Sequence, residues 1–260
     1  MELLLLGTVA FVVSAVTLFS GFGLGTVMTP VFAVFLPLPL AVAATAAVHL
    51  ANNLLKFALL VRDADLRVVL RFGVPAAAAA FVGAAALALF DTLPDIARYD
   101  LGGRVHRITP LGLVIGAAIV GFALLDLSDR FQKVAFSARW LVPGGLLSGF
   151  FGGLSGNQGA LRSAFLVRAG LSKEAFVATG VVTAVMVDTI RLLVYGATFL
   201  GDVLAPNSPI LLPVAVATLG AFAGTVLGRR LLAKVTVATV RWAVAVMMLV
   251  VGLGLMTGLV

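Results

Sequence analysis

The sequence predicts an all-α polytopic membrane protein made of two four-segment repeats in inverted orientation, each opening with a glycine-broken re-entrant helix pair. Three observations predict it. The 260-residue chain is 62% hydrophobic and only 11% charged, with a mean hydropathy of +1.17. A water-soluble domain cannot hide that much apolar surface, so lipid must be the solvent for most of it. Apolar windows long enough to cross a bilayer fall into two groups of four. Most of the 18 Lys and Arg residues are scattered over short connections, in a pattern that gives the two groups opposite sense.

In chain order the first half reads Leu3–Ser20 followed by Val27–Leu36, then Ala41–Val61, Val68–Phe90 and Ile108–Leu125. The second reads Trp140–Phe151 with Ala160–Val167, then Phe176–Tyr195, Leu211–Leu227 and Val237–Met256. This divides the chain into a first repeat at 1–127, a cytoplasmic linker at 128–139 and a second repeat at 140–260. An offset of 134 residues lays Gly25 on Gly159, Ala41 on Ala175 and Thr45 on Thr179. Identity is low, but element order and glycine break agree, which is the mark of an internal repeat. Met1-Glu2-Leu3 lacks the basic region of a secretory signal, so Leu3–Ser20 reads as a retained membrane segment.

Basic residues set the orientation. Arg62, Arg67 and Arg71 lie on one connection, Arg130, Lys133 and Arg139 on the linker, and Arg168 and Lys173 before the second span of the second half. Arg229, Arg230, Lys234 and Arg241 surround the last connection. By the positive-inside rule these face the cytoplasm, while 91–107 and 196–210 face outward. The linker and Arg168 are then on the same side, so the segment between them crosses an even number of times. A half-helix that enters, turns over Gly152–Gly159 and returns satisfies this; the matching turn in the first half is Gly21–Gly25. Eight simple crossings with both halves in one orientation are the alternative that the charges disfavour.

Smaller signals fit the frame. Trp140, Tyr195 and Trp242 fall near span ends, where amphipathic rings prefer the interface. Short alternating runs around Gly102-Gly103 predict a small hairpin within residues 99–107. Pro206, Pro209 and Pro213 stop one helix and start another.

Polar side chains inside these spans are costly, about 2.5–3.5 kcal/mol or more for a central charge, and are functional candidates for that reason. Arg162 is the strongest. It sits one turn into a half-helix whose N-terminus points into the protein, where free N–H groups and the positive dipole end collect. Asn157, Gln158 and Ser163 supply neutral partners, and Gly159 with the other glycines permits close backbone approach. Together they form a nest for an anion with several oxygens, with snorkelling of Arg162 to the headgroups as the competing reading. Gly25, Thr26 and Thr29 line the facing break. His49, Asn52, Asn53 and Lys56 follow at i, i+3, i+4 and i+7 on one helix face. Of these, Asn53 is assigned to the substrate, and His49 and Lys56 to coupling. A structural histidine and a snorkelling lysine stay open beside those roles. Asp188 and Arg191, three apart, form a self-neutralising pair, or else Arg191 contacts the substrate while Asp188 holds it or exchanges a proton. Thr45 and Thr179 are expected to bond the preceding helical turn.

At this point the chain resembles the TauE/SafE family of sulfite exporters. The resemblance lies in Ser20-Gly-Phe-Gly-Leu-Gly25 with Pro30, in Ala41-Val-Ala-Ala-Thr45, and in Gly152-Gly-Leu-Ser-Gly-Asn-Gln-Gly159. Gly170-Leu-Ser-Lys-Glu174 and Val177-Ala-Thr179 extend it, so it covers the whole chain. The sequence departs from the pattern where Ala164 stands at the position matching Pro30, and in the polarity of Asn157, Gln158 and Arg162. The resemblance implies export or uptake of sulfite, sulfonates or related small organic anions without ATP hydrolysis.

The expectation is therefore a multi-pass secondary transporter of the cell membrane, in a bacterium or archaeon, moving a small oxyanion by alternating access between the repeats. A passive anion channel with the same site is the alternative. A membrane enzyme or assembly factor ranks below both, because no nucleotide-binding P-loop, His-Glu-x-x-His or cysteine pair is present. No cofactor or metal is called for. The partners are a small anion and the lipid bilayer, and scattered basic residues do not suit nucleic acid. A cysteine replacing Arg168 is expected to escape a membrane-impermeant maleimide added outside the cell; labelling from outside overturns the inverted arrangement.

Overall fold

The computed structural model describes residues 2–20, 24–204, 210–231 and 237–260. It is almost wholly helical. The first half contains α1 (Glu2–Ser20), α2 (Leu24–Ala33), α3 (Leu38–Leu60), a short α4 (Leu66–Val68), α5 (Val74–Asp91) and α6 (Pro110–Leu127). A single turn, α7 (Asp129–Gln132), lies in the linker. The second half contains α8 (Leu141–Ser155), α9 (Gly159–Leu166), α10 (Lys173–Leu204), α11 (Leu211–Leu231) and α12 (Val237–Thr257). Among the described residues, four stretches are long and apolar enough to cross a membrane: Leu38–Asp63, Leu66–Asp91, Pro110–Leu127 and Lys173–Thr198.

Local chemistry explains most boundaries. Proline at the start of α3 and α6 forfeits no intrahelical bond there. The Asp65 carboxylate caps α4 by accepting from the Val68 N–H at 3.0 Å. Between α4 and α5 the chain makes a wide π-turn over Val69–Gly73, in which the Val74 N–H reaches back to the Val69 carbonyl. Pro75 follows; it has no N–H and would clash with the carbonyl four residues back, and the wider turn absorbs this. Val68–Phe90 is thus not the uniform span expected from hydropathy. The hairpin is present, with β1 (Ala97–Leu101) antiparallel to β2 (Arg104–Ile108). Gly102 and Gly103 have φ of 61° and 76°, the tight-turn geometry that glycine allows. Tyr99 Oη donates to the Thr257 carbonyl at 2.7 Å, and His106 Nδ1 lies 3.0 Å from the Gly258 carbonyl, tying the hairpin to the end of α12.

Two expectations about connections change. The stretch from Gly196 was read as a loop, but α10 continues to Leu204; Pro206 and Pro209 lie outside the described residues, and Pro213 sits in the first turn of α11. Tyr195 was placed at the interface, yet it is buried, and its hydroxyl donates to the Gly153 carbonyl. Trp140 and Trp242 are exposed.

The most extensive helix pairs join one half to the other: α1 with α11, α5 with α8, α6 with α12, and α3 with α10. Direction follows from the contacts. Gly7 meets Gly220 and Phe11 meets Gly224, so α1 and α11 run parallel. Phe72, Ala76 and Ala80 meet Gly145, Gly149 and Gly153 in the same order, so the turn before α5, and α5 itself, run parallel to α8. In contrast, Gly112 meets Leu255 and Gly116 meets Gly252, and His49 lies opposite Asp188 while Asp65 donates to Thr179 Oγ1 at 3.0 Å. The pairs α6–α12 and α3–α10 are therefore antiparallel.

Glycine makes these close approaches possible. A Cβ on Gly145, Gly149 or Gly153 would land on the backbone of Phe72, Ala76 or Ala80. Small residues spaced one turn apart let two backbones touch, and in lipid, where no hydrophobic force draws helices together, that contact is the main attraction. Gly152 and Gly153 thus belong to α8 rather than to the turn, which is shorter than expected and confined to residues 156–158. Gly149→Val is expected to lower the melting temperature in detergent by more than about 5 °C or to prevent recovery of folded protein. Gly196→Val, where an added side chain meets open space, is expected to leave it unchanged.

Candidate anion site at the meeting of two helix breaks

The site is built by two short helices that stop inside the protein. At the end of α8, Gly156 takes φ 81°, a left-handed conformation that suits glycine, and its N–H reaches the Gly152 carbonyl at 3.0 Å. The chain then turns through Asn157 and Gln158 into α9. This helix doubles back along α8: Phe165 lies against Gly144, and the Phe136 N–H, just before α8, donates to the Ala164 carbonyl at 3.0 Å. Phe136 and Phe165 stack with centroids 4.3 Å apart. α2 brings the second break. Residues 21–23, the centre of its expected turn, lie outside the described residues, but Gly25 faces Gly156 closely enough that a Cβ on it would sit 3.0 Å from the Gly156 carbonyl. Thr29 Oγ1 ties the breaks together, 3.1 Å from the Gly25 carbonyl and 3.3 Å from the Ser155 carbonyl.

Beside this junction lies a buried ion cluster between α3 and α10. Asp188 accepts from His49 Nδ1 at 2.6 Å on one oxygen and from Arg191 Nε at 3.0 Å on the other, with Arg191 Nη2 at 2.8 Å. Asn53 Nδ2 lies 3.3 Å from the first oxygen. Arg191 Nη1 also reaches the Gly152 carbonyl at 3.4 Å. One carboxylate thus holds a histidine and an arginine, and these residues are fully or almost fully buried. A second network joins α1, α3 and α11: Ser14 Oγ and Thr225 Oγ1 are 2.7 Å apart, and the Asn52 amide bridges both. In the amide orientation that satisfies every partner, Asn52 Nδ2 donates to Thr225 Oγ1 at 2.7 Å, and Asn52 Oδ1 accepts from Ser14 Oγ at 3.1 Å and from Lys56 Nζ at 3.3 Å.

The residues singled out in the sequence divide into two sets. Arg191, Asn53, Thr29, His49 and Asp188 come together, and most of their polar atoms are engaged with one another or with backbone carbonyls; Arg191 Nη2 lies 2.8 Å from Asp188 without making a hydrogen bond. Lys56 is buried against Asn52 rather than extended along the surface. The other set is open. Arg162 lies along α10 with Nε against Gly180, and its Nη1 is buried with no hydrogen-bond partner. Gln158 packs against Gly152 and Val187, and neither end of its amide is partnered; Asn157 Oδ1 is unpartnered too. Gly159 and Thr26 are buried, and Ser163 is half-buried one residue beyond Arg162.

Sequence reasoning missed the Tyr195–Gly153 bond, the Ser148 hydroxyl that donates to the Gln158 carbonyl at 3.2 Å, and the Ser14–Asn52–Thr225 network. One signal was available: Ser14 and Ser148 are equivalent under the 134-residue offset, and both are fully buried. Thr45 bonds the Ala41 carbonyl as expected, whereas the Thr179 hydroxyl accepts from Asp65.

Apolar helices of spanning length, packed through glycine and enclosing charged side chains, define a multi-pass membrane protein. The chain belongs to the sulfite exporter TauE/SafE family, whose model matches residues 6–255, nearly the whole length. That family is one of membrane transporters rather than enzymes. A search of curated proteins returned no match.

Removing one partner of a buried ion pair strands the other charge, at a cost of about 3–5 kcal/mol. Asp188→Ala is expected to destabilise the protein by that order in detergent unfolding. The Asp188→Leu, Arg191→Met pair is expected to recover part of the loss, since it leaves no stranded guanidinium.

Proposed function

We propose that the protein is a secondary transporter that carries a small oxyanion, sulfite or an organosulfonate by family, across the cell membrane of a bacterium or archaeon. The observation that carries this reading is Arg162 Nη1, buried without a hydrogen-bond partner near the start of α9. A buried donor left unpaired is costly, and a helix N-terminus with free N–H groups adds positive potential beside it. Asp188 does not cancel that charge, because its two oxygens are already held by His49 and Arg191. An anion satisfies the unpaired donor and the helix N-terminus at once.

The inverted-repeat reading draws support from direction. Equivalent helices α3 and α10 run antiparallel, as do α6 and α12, which is the relation expected of repeats of opposite topology. The return of α9 along α8 supports a re-entrant segment, with α2 as its counterpart from the other side. Arg162, Asn157, Gln158, Ser163 and Gly159 then form one wall of the site and Gly25 and Thr26 the other. Asn53, Thr29 and Arg191 hold the walls in place. Alternating access is assigned to rocking of one half against the other, and coupling to the His49–Asp188 pair with Lys56, since an imidazole paired with a carboxylate is a common proton carrier.

Proteoliposomes test the reading. Wild-type protein is expected to show saturable counterflow of radiolabelled sulfite, with Arg162→Ala at least about tenfold slower. In the same vesicles His49→Gln is expected to keep counterflow but lose accumulation driven by a pH gradient. Counterflow at wild-type rate in Arg162→Ala removes the site, and large unitary currents in planar bilayers favour a channel instead.

A further inference from the structure

The break before α9 leaves acceptors as well as donors unpartnered, and this mixture constrains the ligand further than charge does. Asn157 and Gln158 are each 1% exposed. Arg162 Nη1 and Gln158 Nε2 lack acceptors, while Asn157 Oδ1 and Gln158 Oε1 lack donors. A bare oxyanion offers only lone pairs. It satisfies the first two atoms and sets oxygen against the others.

The hydrogen bonds around Ser155 assign the Asn157 acceptor. Ser155 Oγ donates to the Phe151 carbonyl at 3.1 Å. With its one proton there, the Asn157 atom 2.9 Å from that hydroxyl is the donor, Nδ2, which leaves Oδ1 on the other side. Arg162 does not supply the missing proton, for its guanidinium lies along Gly180 of α10. A buried carbonyl oxygen without a donor is unfavourable, and native proteins seldom tolerate one without a reason.

We propose that the transported species is an oxyanion that itself carries an O–H or N–H group, whose proton Asn157 Oδ1 accepts while Arg162 and the Gln158 amide hold the anionic oxygens. This rests on the anion-site reading above and names a chemical class within it. Asn157 then acts as a specificity-determining residue: a site built to accept a proton from its ligand rejects an isostere that lacks one far more strongly than a pocket filled only by shape. The donor can be on the anionic group, as in hydrogen phosphate, or on a short arm, as in 2-hydroxyethanesulfonate.

Competition binding on purified full-length protein distinguishes these. Two pairs matched in charge and size are compared near pH 8: hydrogen phosphate with sulfate, and 2-hydroxyethanesulfonate with propane-1-sulfonate. Wild-type protein is expected to prefer the donor-bearing member of one pair at least about tenfold, and which pair it is locates the donor. In Asn157→Ala that preference is expected to fall to within about twofold. Wild-type affinities within about twofold in both pairs, both lost in Arg162→Ala, leave the anion site standing and overturn the donor. A preference that survives in Asn157→Ala overturns the assignment to that residue. Failure of wild type to bind any of the four overturns the anion site and this inference with it. The wild-type comparison decides the main point even where a variant does not fold.

Discussion

The ion cluster between α3 and α10 is arranged around the carboxylate of Asp188. It is bonded to His49 on the facing helix and to Arg191 on its own, and Arg191 carries the link onward to the backbone of α8 at Gly152. Through these contacts one side chain joins the two central helices to the hairpin that bears the candidate site. Ion pairs this deep add little net stability compared with apolar packing, because desolvation offsets the attraction. Their effect here is geometric: they fix where Gly156, Gln158 and Arg162 stand relative to α3.

Backbone packing does the complementary work. Where a soluble protein gathers its helices by excluding water, a chain in lipid must rely on contact and hydrogen bonding. The glycines of α8 serve both ends, since Gly145, Gly149 and Gly153 dock it on α5 and its preceding turn, while the Gly153 carbonyl takes the Tyr195 hydroxyl. The same helix is held rigid along its length and then released at Gly156. A rigid support that ends in a short turn with unsatisfied polar atoms is a common way to place a binding site.

Much of the architecture was legible in the sequence because hydropathy and charge act locally. The spans, the broken helices and the hairpin at Gly102-Gly103 follow from composition and turn chemistry alone. Glycine was the source of ambiguity. Gly152 and Gly153 looked like part of a turn, and only the partner helix reveals that a four-residue spacing with Gly145 and Gly149 is a docking stripe. The polar residues show the same limit. Asp188 and Arg191 could be paired from their spacing on one helix, but nothing local tells that His49, 139 positions away, shares the carboxylate. Tyr195 was misplaced for a similar reason: an aromatic ring near a span end suits the interface unless a buried carbonyl awaits it. By contrast, Asn157, Gln158 and Arg162 stood out because each is polar in an apolar setting, a signal that needs no partner to be read.

The crossed pairing of helices has a consequence for biosynthesis. α1 emerges long before α11, its main neighbour, and Ser14 is bonded to a threonine 211 positions later. For most of translation α1 must therefore rest against lipid or a temporary companion, with the Gly7 face uncovered. Contacts so distant along the chain close slowly, and partly assembled chains with unpaired surfaces are those that quality control removes. α11, made late, completes the packing of α1. Truncation ahead of α11 therefore strips α1 of its partner and uncovers its glycine face.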